Sequence, residues 1–368
     1  MKRTIPLLLL TAALASSYSQ ANDSVELQTL IHAAQQEGPI TIYAPSGKIV
    51  DTAKAFSQKY GVKAEGLKIN GAAQLEKMTR EYRANNVRGD VVLTGDPVAA
   101  LAQLLPLGIV ENWTPTDLAN QIPAANRQPL LVYGDPVVWS YNTEVYSHCP
   151  VDNIWALTDP QWQRRVTLQD PLTKASYLDW FNQLEHHYDA QLAAAYQAHY
   201  GKPFDPKQGS ATEVWVKAFA KNGPLPTDSD APASEAVGAP GQKTPFIGLI
   251  STAKYRDVAS GKLKMGICNT MQPFVGLSTP AFGLIASKTK SPNTARLLLH
   301  YLMTDEGIAN QTVDGKVSGN PAIAPNPKEA SGVHHVANQV LQYSATEASA
   351  DFDARQRWSD LWRLNFTR

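Results

Sequence analysis

Four loops in this 368-residue chain bring a small hydroxyl or amide side chain to a point where a β-prone run gives way to a helical one. They are Ser46-Gly47-Lys48, Asn70-Gly71, Thr94-Gly95-Asp96 and Thr173-Lys174-Ala175-Ser176. A helix N-terminus offers unpaired backbone N–H groups and a partial positive charge. A hydroxyl or amide beside it makes an anion site, suited to phosphate or carboxylate. Taken singly, each loop also reads as an ordinary helix cap. Four of them, from two separate stretches of chain, can face one another across a cleft. Asp228-Ser229-Asp230 adds short acceptors on a loop rich in Pro, Ala and Gly that runs to Gly241. Such acceptors suit the hydroxyls of a sugar, or else mark a solvated turn. Their spacing is not that of a calcium-binding EF-hand. The candidate ligand set is therefore Ser46, Gly47, Asn70, Thr94, Gly95, Thr173, Ser176, Ser229 and Asp230.

Other chemistries lack their signatures. No stretch matches G-x-x-x-x-G-K-[ST] or G-x-G-x-x-G, which disfavours a nucleotide enzyme. No H-E-x-x-H or G-x-S-x-G occurs, so zinc-protease and serine-hydrolase readings have no anchor. The pairs His186-His187 and His334-His335 would point about 100° apart on an α-helix and so read as solvated faces rather than a shared metal site. Two cysteines exclude a disulfide-dense scaffold and a cysteine-rich metal centre. Cys149 and Cys268 can form one disulfide in an oxidising compartment or remain two buried thiols, and the spacing does not decide between these. No cofactor is called for.

The elements that must position these loops follow from periodicity. Residues 25–37 read as an amphipathic helix stopped by Gly38-Pro39. Strands are expected at 40–44, 62–69 and 90–93, each followed by a helix: 49–60 with Ile49, Ala53, Phe56 and Tyr60 on one face, 72–82, and one running through Leu105. After a candidate crossing strand at 137–141 a second such region follows. It has strands at 165–168, 262–268 and 280–287, and helices at 177–200, 211–221 and 291–303. Residues 314–330 read as irregular, and 336–343 and 352–364 as terminal helices. Trp155, Trp162 and Trp180 read as core. Repeated strand–loop–helix units predict a mostly parallel sheet covered on both faces, with ligands beyond the carboxyl ends of its strands.

Balanced charge, 33 basic against 33 acidic groups, argues against nucleic acid as a partner. Lys2 and Arg3, an apolar run at 5–15 and the small-x-small end Ser19-Gln20-Ala21 describe a secretory signal peptide cleaved after Ala21. That run is shorter than the about 20 residues a bilayer span needs.

Several stretches resemble periplasmic solute-binding proteins of ABC importers, in particular the ferric-binding-like group. They are Ile40-Thr41-Ile42-Tyr43-Ala44-Pro45-Ser46-Gly47, Ala55-Phe56-Ser57-Gln58-Lys59-Tyr60-Gly61-Val62, Arg88-Gly89-Asp90-Val91-Val92, Trp155-Ala156-Leu157-Thr158-Asp159-Pro160, Leu168-Gln169-Asp170-Pro171 and Pro280-Ala281-Phe282-Gly283-Leu284-Ile285. The resemblance implies an α/β, two-lobed periplasmic-binding-protein fold (type II) with the ligand cleft between lobes and hinged closure. The expected division is a signal peptide at 1–21, a first lobe at 22–137 plus 276–368, and a second lobe at 138–275. The hinge crossings are placed at 137–141 and 268–275. The resemblance also implies a monomer in the periplasm that works with an inner-membrane permease.

Many ferric-binding members hold iron with adjacent tyrosines. None of the 14 tyrosines here are adjacent, and the stretch aligned with that pair reads Gly266-Ile267-Cys268-Asn269-Thr270-Met271. Asn, Thr and Met cannot replace two phenolates for a hard cation. Gly238-Ala239-Pro240-Gly241-Gln242 and residues 247–254 are similar to the hexose-phosphate and phosphonate branch. That branch implies phosphate contacts at Ser46, Asn70, Thr94 and Ser176 and hydroxyl contacts at Ser229 and Asp230. The alternatives are ferric iron within the class and, outside it, a secreted phosphoesterase or other hydrolase. The latter needs a metal cluster or an activated nucleophile, and the sequence shows neither pattern.

Overall fold

The computed structural model describes residues 25–367. The expected signal peptide lies outside the described residues. Twelve strands are present among them: β1 (Ile40–Ala44), β2 (Ala64–Lys68), β3 (Val91–Leu93), β4 (Val110–Asn112), β5 (Leu131–Asn142), β6 (Val166–Gln169), β7 (Leu225–Thr227), β8 (Ile247–Ser251), β9 (Met265–Ile267), β10 (Gly276–Ala286), β11 (Val317–Ser318) and β12 (Val340–Gln342). Their main path runs β2-β1-β3-β10-β5-β8-β6-β7. β1 is parallel to β2 and β3, and β6 is parallel to β7 and β8. The inner strands β3 and β8 are buried throughout, as strands covered on both faces are, whereas the edge strands β2 and β7 are partly exposed.

β5 and β10 join the two sets. Their antiparallel ladder puts Asp135 opposite Thr279 and Tyr133 opposite Ala281. The far end of β10 pairs with β3 at Gly283–Ile285, and the far end of β5 pairs with β8 at Val137–Ser140. Each long strand thus starts in one half and ends in the other. The second crossing is β10 itself rather than 268–275, which only leads up to it.

The Ile49–Tyr60 helix shows how local pattern sets local structure. Ile49, Ala53, Phe56 and Tyr60 are buried on one face, and the helix stops at Gly61, whose φ of 70° lies in the left-handed region. Ile42, Val91, Phe56 and Leu298 belong to the core of the first half. The second core contains Trp139, Trp155, Trp180, Trp215 and Phe219, and the expected core tryptophans Trp155, Trp162 and Trp180 all lie within it. It also takes in Val333, Val336, Val340, Trp358 and Trp362, although the sequence grouped 276–368 with the first lobe. The Ala348–Asn365 helix lies along the Ser176–Gln183 helix, with Phe181 stacked on Trp362 at 6.0 Å.

Two further expectations are corrected. Residues 336–343, read as a helix, form a 3₁₀ segment (Val333–Gln339) and then strand β12, because the open edge of β10 pairs with Val340–Gln342. The helix through 177–200 contains a π segment at Leu184–Tyr188. There the looser winding lets adjacent histidines converge: His186 Nδ1 lies 3.0 Å and His187 Nε2 3.5 Å from the same Glu347 oxygen. No helix among the described residues is long and apolar enough to cross a membrane.

Candidate ligand-binding cleft

The loops at the carboxyl ends of β1, β2, β3, β6, β7 and β8 open onto one cleft of about 1130 Å³. All nine candidate residues line it: Ser46, Gly47, Asn70, Thr94 and Gly95 from the first parallel set, and Thr173, Ser176, Ser229 and Asp230 from the second. Tyr133, Asp135 and Val137 of β5 and Thr279, Pro280 and Ala281 of β10 line it from the crossing strands.

The local chemistry separates these residues into those already engaged and those with capacity left. Asn70 caps the Gly71–Arg83 helix, its side chain accepting from Ala73 N at 3.0 Å. Thr94 is buried; its hydroxyl oxygen accepts from Phe282 N at 2.9 Å and ties β3 to β10. Gly95 N donates to Gln74 Oε1 at 2.8 Å. Ser46 Oγ accepts from Lys48 N at 3.2 Å, and Thr173 Oγ1 donates to Asp170 O at 3.1 Å. Ser176 opens the helix Ser176–Gln183, and Ser229 caps the helix Asp230–Gly238 with no side-chain cap bond. The expected loop at 228–241 is a helix from Asp230 to Gly238, so this motif too presents a helix N-terminus. Asp230 Oδ1 is sealed from solvent and has no partner.

Two glycines allow the first-half loops to meet. A Cβ at Gly71 would lie 2.5 Å from Asp96 N, so only glycine lets the Asn70-Gly71 turn sit against the Gly95-Asp96 turn.

The cleft also holds charges that the motif search passed over. Lys48, Lys68, Lys174, Lys254, Arg256 and Lys316 line it, against Asp51, Asp96, Asp135, Asp228, Asp230 and Asp314. Arg256 pairs with Asp314 at 2.8 Å. Lys316 is buried, sits 4.5 Å from the Tyr133 ring centroid and donates to Gln311 Oε1 at 3.1 Å. Burial works against its ammonium charge, but Tyr133 and the carboxylates of Asp135 and Asp314 more than compensate and hold its pKa above the ordinary value. Burial pushes the Tyr177 phenol well up, with Asp230 and Asp135 adding to the effect. One signal for these residues was present in the sequence: Asp135 interrupts an otherwise apolar run from Leu130 to Trp139.

None of residues 266–271 lines the cleft; 265–267 form β9 and pair with β5 at Ser140–Asn142. Tyr133 is the one tyrosine among the lining residues. No group of three or more His, Cys, Asp or Glu that could hold a metal ion occurs among the described residues. Cys149 and Cys268 form a disulfide with a Cα–Cα distance of 5.1 Å, and neither lines the cleft.

No curated protein sequence matches the chain. Solved structures resemble it in fold. The substrate-binding protein of an ABC transporter from Agrobacterium tumefaciens aligns with a TM-score of 0.66 and 13% identity, over 89% of this chain and 95% of that one. Iron-bound HitA from Pseudomonas aeruginosa aligns at 0.66 and 16%, over 88% and 99%. AfuA from Actinobacillus pleuropneumoniae, with fructose-6-phosphate bound, aligns at 0.64 and 18%, over 89% and 98%. These are two-lobed periplasmic binding proteins, in accord with the two parallel sets and two crossing strands described above. The model of the bacterial extracellular solute-binding proteins matches residues 40–315, a stretch that contains all nine candidate residues and both crossing strands, and the chain belongs to that family.

Proposed function

We propose that this protein is the periplasmic solute-binding component of an ABC importer and that its cargo is a phosphorylated small molecule, a sugar phosphate. The observation that carries this reading is the meeting of helix starts in one cleft. The helices beginning at Ile49, Gly71, Ser176 and Asp230 all open there, with Lys48 and Lys68 beside the first two. Backbone N–H groups, hydroxyls and lysines together suit a dianionic phosphate. Ser46, Asn70, Thr94 and Ser176 are the proposed phosphate contacts, and Ser229 and Asp230 the proposed hydroxyl contacts. The fructose-6-phosphate bound by AfuA supports the same class.

Ferric iron, the metal in HitA, fits less well, because the cleft offers a single tyrosine and its aspartates form no group of three that could hold a metal ion among the described residues. We further propose that the first lobe comprises the β1–β3 set, that the second comprises the β6–β8 set together with 333–366, and that ligand draws them together. A ligand shifts the closed state only by its preference for closed over open.

The test is native mass spectrometry of the purified protein for a retained ligand, followed by calorimetry with hexose phosphates and with ferric citrate. A sugar-phosphate adduct supports the reading. A stoichiometric coloured iron complex overturns it, and steady turnover of a phosphate ester moves the protein to the hydrolase class.

A further inference from the structure

Four polar atoms at or beside the cleft are sealed from solvent and lack a partner: the Tyr133 hydroxyl, Asp135 Oδ1, Asp230 Oδ1 and the Tyr177 hydroxyl. Buried polar groups in folded proteins are nearly always paired, and an orphan acceptor is costly. Asp135 and Asp230 line the cleft itself, one from the crossing strand and one from a helix start; Asp135 is half-buried, with Oδ1 sealed and its other carboxylate oxygen open to the cleft. Tyr177 is fully buried and lies within the electrostatic reach of both.

We propose that Asp135 is a specificity residue that accepts a hydrogen bond from a hydroxyl of the cargo. The cargo then lies with its hydroxyl-bearing end on Asp135 and Asp230 and its anionic end at the Ser46, Asn70 and Ser176 helix starts. This rests on the sugar-phosphate reading and narrows it.

The chemistry of the partner follows from the charges. Phosphate oxygens are acceptors and would be repelled by two carboxylates, so the anionic end cannot sit here. The donor could be a hydroxyl or an ammonium. Lys316 decides between them. It is buried beside Asp135 and Tyr133 and already supplies a compensating cation, so the missing group is a neutral donor. Asp135 stands opposite Thr279 in the β5–β10 ladder, in the one part of the sheet shared by both halves. A hydroxyl held there is read at the floor of the cleft.

The experiment uses the whole protein and compares it with Asp135→Asn by calorimetry. The probes are inorganic phosphate, glucose and fructose monophosphates, singly deoxygenated analogues of each, and an aminoalkylphosphonate. The expected result is that a hexose phosphate binds the native protein more tightly than inorganic phosphate does. Asp135→Asn should lose about ten- to hundredfold in affinity for it. Inorganic phosphate should bind both proteins alike, which also shows that the variant is folded. On the native protein, removal of one hydroxyl should cost a similar factor without any mutation. A native protein that binds hexose phosphates while Asp135→Asn and every deoxygenated analogue keep full affinity overturns the role of Asp135 alone. Tighter binding of the aminoalkylphosphonate overturns the neutral-donor assignment. Failure of every phosphorylated probe overturns both this inference and the reading it rests on.

Discussion

Arg355 and Asp179 meet through two hydrogen bonds, Nε to Oδ1 at 2.7 Å and Nη2 to Oδ2 at 2.8 Å. The same guanidinium holds Asp96 through Nη1 at 3.1 Å and Nη2 at 2.6 Å. Asp96 lies in the cleft loop after β3, and Asp179 one turn into the helix that Ser176 opens. One side chain of the Ala348–Asn365 helix therefore links a cleft loop of one half to a helix of the other.

Removing that side chain leaves two carboxylates together with no cation between them. Deleting one partner of a buried ion pair costs about 3–5 kcal/mol, and the partial exposure of Arg355 places Arg355→Met near the lower end, about 3 kcal/mol. Arg355→Lys should recover only part of this, since an ammonium cannot present a planar fork to two carboxylates. Urea unfolding measures both, and a loss below about 1 kcal/mol for the methionine variant would show that the clasp contributes little.

A single guanidinium cannot neutralise two carboxylates, and Asp351 adds a third negative group nearby. Burial accordingly pushes Asp179 from 3.8 up to about 7, against the pull of Arg355. An acid whose folded pKa exceeds its unfolded value holds its proton more tightly in the native state. Its contribution is complete below the unfolded value and is lost as pH rises to the folded one. Asp179→Asn, neutral at every pH, should gain stability relative to the native chain as pH rises across that window. Urea midpoints between pH 4 and 8 check this. A difference of opposite slope means that Arg355 keeps the carboxylate ionised.

Asn70 and Ser176 were equivalent candidates in the sequence, but the structure gives them different work. Asn70→Ala loses the bond to Ala73 N and should cost about 1 kcal/mol of stability with no ligand present. Ala175 is the cap of the Ser176–Gln183 helix, and the Ser176 hydroxyl that follows it is held by no hydrogen bond among the described residues. Ser176→Ala should leave stability unchanged and weaken a phosphorylated ligand about tenfold. Thermal melts and calorimetry on the two variants separate capping from binding. Equal melting losses would return Ser176 to a structural role.

The Cys149–Cys268 disulfide spans 119 residues of sequence and joins two segments of the second core. Reduction, or Cys268→Ser, should cost about 2–5 kcal/mol. Because neither cysteine lines the cleft, ligand affinity should hold and closure should survive oxidation. Small-angle scattering on oxidised protein with and without a calorimetrically confirmed ligand checks the second point. An unchanged radius of gyration would reject hinged closure.

The cleft was legible because parallel strands end in Ser, Asn, Thr and Gly, and these residues carry both the turn and the helix start. Asp228-Ser229-Asp230 lines the cleft but reads as a loop in the sequence, since Pro232 and the following small residues mask the helix that Asp230 begins. β5 is legible only from Val137, because Gly134, Asp135 and Pro136 break its apolar pattern. β12 reads as a helix because Val336, Val340 and Tyr343 match helical spacing, and only the edge of β10 decides otherwise. Lys316 carries no local signature, and Asp135 only its interruption of an apolar run. Their meeting depends on a sheet register between segments about 180 residues apart, which no window of sequence contains.

Seven of the eight tryptophans lie in the second core, including Trp358 and Trp362 near the end of the chain, and Trp113 alone packs against the first. Indole emission therefore reports almost entirely on one half of the molecule, whereas far-ultraviolet dichroism weighs both. If the halves melt separately, the two signals will part company, and the fluorescence curve will describe the half closed by the Ala348–Asn365 helix. A coincident transition would instead mean that β5, β10 and the Arg355 clasp couple the halves into one cooperative unit.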